Sequence, residues 1–264
     1  MKILEYHQFA PHIRAFSTER GIDDAAAYTE PYLGFNINPY CGDSASHIDA
    51  CRAELAQLID VPSNDILLPH QVHGVTVANL DNGDTTEGAD ALMTTRSRLC
   101  IGVSTADCIP VLLYDAEHCA VAAVHAGWRG TVKRIVQKAV AAMTAAYATR
   151  PEALKAVIGP GISMKNFEVG DEVYEEFRSA GFPMETMARR YPTKLDSTVE
   201  KWHLDIVECN SLQLLDAGLT PQSIHVEAVC TYDNNDQFFS ARREQVGTVK
   251  CGRNFNAIII KNND

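Results

Sequence analysis

Residues 98–126 read RLCIGVSTADCIPVLLYDAEHCAVAAVHA, from Arg98 to Ala126, and the fold turns on this stretch. Residues 98–104 have the composition of a buried strand. Two apolar runs follow, 109–114 and 119–125, separated only by Asp115-Ala116-Glu117-His118. Runs of that length joined by so short a polar segment predict a β-hairpin. A turn centred on Ala116 and Glu117 sets Cys108 directly opposite His125, with Cβ atoms about 4.5–5.5 Å apart. A slip of one residue would turn the two side chains to opposite faces. Pro110 has no N–H for a ladder, which predicts a sheet edge or a strand start at this end.

Working outward, residues 2–8 and 12–17 read as short strands. Residues 20–44, rich in Gly, Pro and Asn, predict a long loop with strand-like Leu33-Gly34-Phe35-Asn36-Ile37 inside it. Ile48, Cys51, Leu55, Leu58 and Ile59 keep helical spacing and predict a helix near 46–60. Ile66-Leu67-Leu68 and Val75-Thr76-Val77-Ala78 flank the polar His70-Gln71-Val72-His73-Gly74. Beyond the hairpin, a helix is predicted near 131–147, a strand at 156–158 and a Gly-Pro-Gly turn at 159–161. Helices near 170–180 and 205–217 follow, the second ending at Gly218, a suitable glycine for a helix end. Residues 182–200 carry no clear pattern, and strands are expected at 224–230, 237–241 and 255–261. Strands that do not alternate strictly with helices favour an α+β fold over a doubly wound sheet. No repeat or linker divides the chain, so one domain over 1–264 is expected.

Composition narrows the function. The 264 residues carry 23 basic and 34 acidic side chains, a formal net charge of −11. No clustered basic face is available to neutralise nucleic-acid phosphates. No stretch approaches the roughly 20 apolar residues that span a bilayer, and Glu5 and His7 interrupt any signal-peptide core, so a cytoplasmic protein without a membrane partner is expected. Eight cysteines without a CxxC pair argue against a disulfide framework or a zinc ribbon.

Cys108 and His125 therefore stand out by position. Both sit where apolar runs end, and a facing thiol and imidazole suit either one metal ion or a nucleophile–base pair. A third ligand would come from His70 or His73. Thiolate plus imidazole suits zinc or copper(I), and three protein ligands leave a fourth position open, as in catalytic zinc sites. The helix start after His125, with Arg129, is a candidate anion site.

At these same residues the chain resembles the YfiH-like laccase-domain proteins, also called polyphenol oxidases and purine nucleoside phosphorylases. The resemblance is carried by Gln71-Val72-His73-Gly74, Ala89-Asp90-Ala91-Leu92-Met93-Thr94, Thr105-Ala106-Asp107-Cys108-Ile109-Pro110-Val111 and Ala123-Val124-His125-Ala126-Gly127-Trp128-Arg129-Gly130. It continues through Ile158-Gly159-Pro160-Gly161-Ile162-Ser163, Phe167-Glu168-Val169-Gly170, His203-Leu204-Asp205, Cys230-Thr231 and Phe238-Phe239-Ser240-Ala241-Arg242-Arg243. The resemblance implies a mixed α/β/β/α sandwich related to cysteine-hydrolase toxins, with His73, Cys108 and His125 as metal ligands. It implies phosphorolysis of adenosine, inosine and methylthioadenosine, and adenosine deamination. Copper-dependent phenol oxidation and peptidoglycan-precursor editing are further activities linked to the family. Thr18-Glu19-Arg20-Gly21-Ile22 departs from the family's Arg-x-Gly-Gly loop by one glycine.

A conventional laccase holds its coppers with many histidines, several in His-x-His pairs. This chain has nine histidines and no such pair, so that centre cannot be built. The expectation is a zinc-dependent purine nucleoside enzyme, with copper as a possible occupant. Arg129, Glu168, Arg242 and Arg243 are candidates for binding nucleoside and phosphate. Asp107 and Glu168 are candidate proton shuttles, and Trp128 could stack on a base or pack. A metal-free cysteine amidohydrolase using Cys108 and His125 is the alternative, beside a non-catalytic editing factor.

Overall fold

The hairpin sits at the centre of the molecule because its strands are apolar on both faces, the pattern of strands covered on both sides. The structure is a computed structural model describing residues 1–21, 32–193, 198–244 and 250–261. In chain order the described elements are β1 (Ile3–Tyr6), β2 (Ile13–Thr18), α1 (Ala45–Ile59), β3 (Ile66–Leu67), β4 (Val77–Asn79), β5 (Ala91–Thr94), β6 (Cys100–Thr105), β7 (Ile109–Asp115) and β8 (Ala120–Ala126). They continue with α2 (Trp128–Val132), α3 (Ile135–Tyr147), β9 (Leu154–Ile158), β10 (Glu168–Val169), α4 (Asp171–Ser179), α5 (Met184–Met187), β11 (Ala188–Pro192) and β12 (Glu200–Leu204). The last are α6 (Ile206–Asp216), β13 (Ile224–Val226), α7 (Ala241–Glu244) and β14 (Asn254–Ile260).

Among these residues one sheet runs β13-β9-β7-β8-β5-β4 and a second runs β1-β2-β14-β6-β3. Their inner faces meet through Leu112, Tyr114, Val121 and Ala123 on one side and Ile101, Val103 and Ile258 on the other. The outer face of the first sheet, with Val111, Leu113 and Val124, lies under α3 and α6. The outer face of the second, with Phe16, Phe255 and Ile259, lies under α1. This is the expected α/β/β/α layering. Packing rather than capping holds α1. Buried Ile48, Leu55 and Ile59 each contribute roughly 1.5–3 kcal/mol, while its Ser44 cap contributes about 1 kcal/mol. A small third sheet, β10-β12-β11, packs on α4 and α5 through Val173, Phe177, Met187 and Leu204.

The hairpin register differs from expectation by two residues. Asp115 pairs with Ala120 and Pro110 with His125, leaving a four-residue turn at 116–119. Buried Asp115 is the cause. Its carboxylate accepts the backbone N–H of Glu117 at 2.8 Å and of His118 at 3.2 Å, and Cys119 adopts φ 50°. Such side-chain capping competes with a tight two-residue turn. A two-residue shift preserves the alternation of faces, so Cys108, just before β7, falls diagonal to His125 rather than opposite it. Of the two placements expected for Pro110, the strand start holds, since β7 begins at Ile109, while the hairpin itself lies inside the sheet. Pairing of β7 with β9 begins at Val111, and Pro110 lies just outside that ladder.

Other expectations fail where local chemistry intervenes. Residues 33–37 form no strand; the Phe35 N–H goes to the Arg20 carbonyl instead. The single helix expected over 131–147 is two, α2 and α3, divided where Arg134 turns to φ 65°. Residues 237–241 are a bend leading into α7, with the Phe238 N–H on the Asn234 carbonyl. The segment 182–200 hides β11, whose mostly exposed Ala188-Arg189-Arg190-Tyr191-Pro192 has no apolar period to betray it. No described helix is long and apolar enough to cross a membrane.

Gly102 on β6 gives a test of the inter-strand packing. A Cβ there would lie 2.5 Å from the Phe255 ring and 2.7 Å from the Asn256 carbonyl oxygen. Gly102→Ala is expected to destabilise the fold by about 1–3 kcal/mol, as overpacking does, read as a lower midpoint in urea unfolding. An unchanged midpoint would contradict this packing.

Candidate metal centre and its neighbouring cleft

Asp90, the residue before β5, is the origin of the site. Strand pairing sets Ala91 against Val124, and the next ladder bond runs from the His125 N–H to the Asp90 carbonyl at 2.8 Å. The fully buried Asp90 carboxylate then meets the His125 imidazole, with Oδ1 2.8 Å from Nδ1. It also accepts three successive backbone N–H groups, from Val72 at 3.3 Å, His73 at 3.0 Å and Gly74 at 2.6 Å. One carboxylate thereby shapes the 72–74 loop and orients His125. His73 is held at φ 58° by these bonds. Gln71 fastens the same loop to the end of β6, accepting from the Ser104 N–H at 2.7 Å and donating to its carbonyl at 2.9 Å.

The result brings three expected donors together. One ligand atom from each of His73, Cys108 and His125 lies within 4.8 Å of the others, and Cys108 Sγ stands 4.0 Å from His73 Nε2. The His73 and His125 rings meet edge-to-face, centroids 4.8 Å apart. His125 is buried, Cys108 half-buried and His73 exposed, so the cluster opens on the His73 side. With its Nδ1–H donated to Asp90, His125 has Nε2 left to face a metal ion, the usual carboxylate–histidine–metal arrangement. Gly127 is required here. A Cβ would come within 2.9 Å of the His73 ring and 3.2 Å of Cys108 Sγ. Two imidazoles and one thiol with an open side fit a soft or borderline metal ion. His70 stays outside the cluster, bonded to Glu87 at 2.6 Å and stacked on Tyr40.

The charges of Cys108 and His125 depend on one another. Burial alone would push the Cys108 thiol up, but the charge of His125 and hydrogen bonds from both imidazoles outweigh it, and the net shift is downward. Burial disfavours the imidazolium of His125, yet Cys108 and Asp90 raise its pKa overall. The cluster therefore favours a thiolate beside an imidazolium. Cys100, in contrast, is pushed up by burial to about 12 and Cys251 to about 11.

Asp107, one of the two candidate proton shuttles, precedes Cys108 and has its carboxylate engaged in structural bonds. Its carboxylate accepts from Thr231 Oγ1 and Ser240 Oγ, both at 2.7 Å, and from the Arg242 backbone N–H at 2.6 Å. It is a buried brace, holding φ 88° at the turn into Cys108. Through it Arg242 is tied to the cluster. The Arg242 side chain lines a separate cleft of about 610 Å³, whose walls also include Lys165, Glu168, Tyr191, Lys201 and His203. Arg242 Nη1 donates to the Glu168 carbonyl at 2.9 Å. Arg129 and Arg243 are exposed and lie over the rings of Trp128 and Tyr232. Trp128 packs against α3, α4 and α6 rather than standing free for a base. Reasoning from residues missed Asp90 and Gly127 as the residues that shape the cluster. Their only signal was an acid within a quoted motif and a glycine two residues after a candidate ligand.

The family described as multi-copper polyphenol oxidoreductase laccase matches residues 14–261. A purine nucleoside phosphorylase of Bacteroides thetaiotaomicron is 37% identical over 87% of this chain and 86% of its own length. A protein named adenosine deaminase RL5, from an unknown prokaryotic organism, is 36% identical over 98% of both chains. Among solved structures, the hypothetical protein YfiH of Bacillus licheniformis superposes with a TM-score of 0.82 at 25% identity, over 94% of this chain and 93% of its own.

Two measurements check the geometry. Asp90→Asn removes the charge that orients His125 and sets an amide against the loop N–H groups. Metal affinity, measured by chelator competition, is expected to fall roughly 10–100-fold with the circular dichroism spectrum retained. In chelator-treated protein, iodoacetamide is expected to label Cys108 ahead of the other cysteines at pH 7, and bound metal should suppress that labelling. Equal labelling with and without metal, read by peptide mass spectrometry, would exclude Cys108 as a ligand.

Proposed function

The chain belongs to the multi-copper polyphenol oxidoreductase laccase family, and from that membership we propose that it is a zinc-dependent purine nucleoside enzyme. The observation that carries this reading is the open His73/Cys108/His125 cluster, with His125 oriented by buried Asp90. The names of the two relatives quoted above supply the substrate class. A multi-copper centre finds too few donors. Among the described residues the other candidate group is Asp115, Glu117 and His118, and its members are engaged. Asp115 binds His118, Thr149 and two backbone N–H groups, and Glu117 pairs with Arg150.

A zinc ion, when bound, supplies Lewis-acid polarisation of an oxygen on substrate or water. The chain's own residues supply the rest. Asp90 fixes the ring of His125 and leaves its Nε2 facing Cys108. His73, Cys108 and His125 would hold the ion, and the Cys108 thiolate would offset part of its charge. Arg242 and Glu168, on the cleft wall, bind the nucleoside, and the Glu168 carboxyl carries the proton to the departing group. In phosphorolysis a phosphate oxygen bonds to ribose C1′ as the bond to the purine nitrogen breaks, and the base leaves with a proton. In deamination water adds at C6 and the amino group leaves as ammonia. Arg129 and Arg243, both exposed, are assigned the outer rim, where positive charge attracts phosphate.

A second reading has its own support. Cys108, His125 and Asp90 offer a nucleophile, a base and an orienting acid, the roles that cysteine hydrolases combine. Metal content separates the two. Cys108→Ala and His125→Ala are each expected to lose bound zinc, by elemental analysis, together with turnover of adenosine and inosine assayed with and without phosphate. Full turnover by metal-depleted Cys108→Ala protein would overturn the proposal. Turnover that survives chelation but not alkylation would establish the cysteine hydrolase instead.

A further inference from the structure

A second thiol is joined to an imidazole and a carboxylate, in a different part of the chain from the metal cluster. Asp43, His47 and Cys51 follow one another at intervals of four, the spacing that stacks side chains on one helix face. His47 and Cys51 lie on α1, and Asp43 stands just before its Ser44 cap. His47 Nδ1 is 2.8 Å from Asp43 Oδ2, and His47 Nε2 is 3.5 Å from Cys51 Sγ. A carboxylate can only accept, so Nδ1 of the neutral ring carries the hydrogen and Nε2 turns a lone pair to the thiol. Asp43 is itself fixed. Asn36 Nδ2 donates to its Oδ2 at 2.8 Å, and the Ser44 N–H donates to its Oδ1 at 2.7 Å.

Packing alone does not call for these groups. Cys51 belongs to an apolar cluster with Leu55 and Ile59, where a small hydrophobe would fill the same space. Burial pushes the Cys51 thiol up, and the charges of Glu54 and Asp43 push the same way, against a hydrogen bond from the Asn36 backbone. The resting group is therefore S–H, and the thiolate, the reactive form, is scarce. A base that takes the proton during attack removes that obstacle, and His47 is placed to do so. The Asn36 backbone then favours the charge that develops on sulfur. Space limits the reaction partner. Cys51 is 7% exposed, beside a His47 side chain that is 35% exposed, which suits an electrophile of a few atoms rather than a peptide or an ester.

We propose that Cys51 is a hydroperoxide-reactive thiol, with His47 as its general base and Asp43 as the group that orients the ring. The Cys51 S–H proton passes to His47 Nε2 as the sulfur bonds to one oxygen of hydrogen peroxide and the O–O bond breaks. The departing hydroxide takes that proton from His47 and leaves as water. Sulfur is oxidised to a sulfenic acid, and the peroxide is reduced. The site shares no residue with the His73/Cys108/His125 cluster, so it stands independently of the purine nucleoside reading.

Treatment of the metal-loaded protein with hydrogen peroxide in the presence of dimedone, which traps sulfenic acids, tests the assignment by peptide mass spectrometry. Exposure alone would place Cys41, Cys119 and Cys230, all half-buried, ahead of buried Cys51. The relay reverses that order, and Cys51 is expected to be trapped faster than any of the three. His47→Gln removes the base from a partly exposed position in the first turn of α1. It should slow trapping at Cys51 by about 100-fold, the lower end of what a positioned base supplies, and leave trapping at Cys41 unchanged. A substitution that merely loosened α1 would expose Cys51 and speed its trapping, so the direction of the change separates a base from a packing residue. Trapping at Cys51 that is no faster than at Cys41 would overturn the proposal. So would trapping in His47→Gln that matches or exceeds that of the unaltered protein.

Discussion

The buried carboxylate of Asp90 is the constraint on which the site depends. A lone carboxylate taken out of water costs several kcal/mol unless it is fully hydrogen-bonded. Here three backbone N–H groups and one imidazole satisfy it. Those four bonds draw the 72–74 loop and the end of β8 to the same point, and so decide that His73 and His125 meet. Its pKa is held down, since the bonds to His125 and to the loop outweigh the burial that would raise it. Loss of the charge would release both histidines at once.

Asp107 plays a comparable part on the other side of Cys108. It joins the 105–108 turn to Thr231, Ser240 and Arg242, more than a hundred residues away in sequence. Both His73 and Asp107 adopt left-handed backbone, a conformation that costs of order 1–3 kcal/mol outside glycine and persists where surrounding contacts demand it. Buried carboxylates supply those contacts in each case. The three side chains of the cluster are therefore held together by the protein itself, which lowers the ordering that binding an ion would require.

Much of this was legible in the residues, and the reasons for the misses are physical. The apolar runs of β7 and β8 read plainly because both faces are buried. The parity of Cys108 and His125 survived an error in the turn because side chains repeat every two residues. The turn itself was missed because Asp115 caps it with a side chain. Asp90 was missed because its role comes from the pairing of β5 with β8, a contact between residues over thirty positions apart that no local period reveals. The third sheet escaped because β11 is mostly exposed and β10 has two residues. Choosing His73 over His70 took the family resemblance; spacing left both open.

The three clustered donors and Asp90 all come from residues 73–125, while the walls of the cleft come from residues 165–242. Different stretches of chain thus encode the two, and the Asp107–Arg242 bond is a seam between them. Substitutions in the later stretch that spare Thr231, Ser240 and Arg242, the partners of Asp107, can recut the cleft while the earlier stretch keeps its arrangement. Inheritance of this kind lets one scaffold diversify by drift in less than a third of its length.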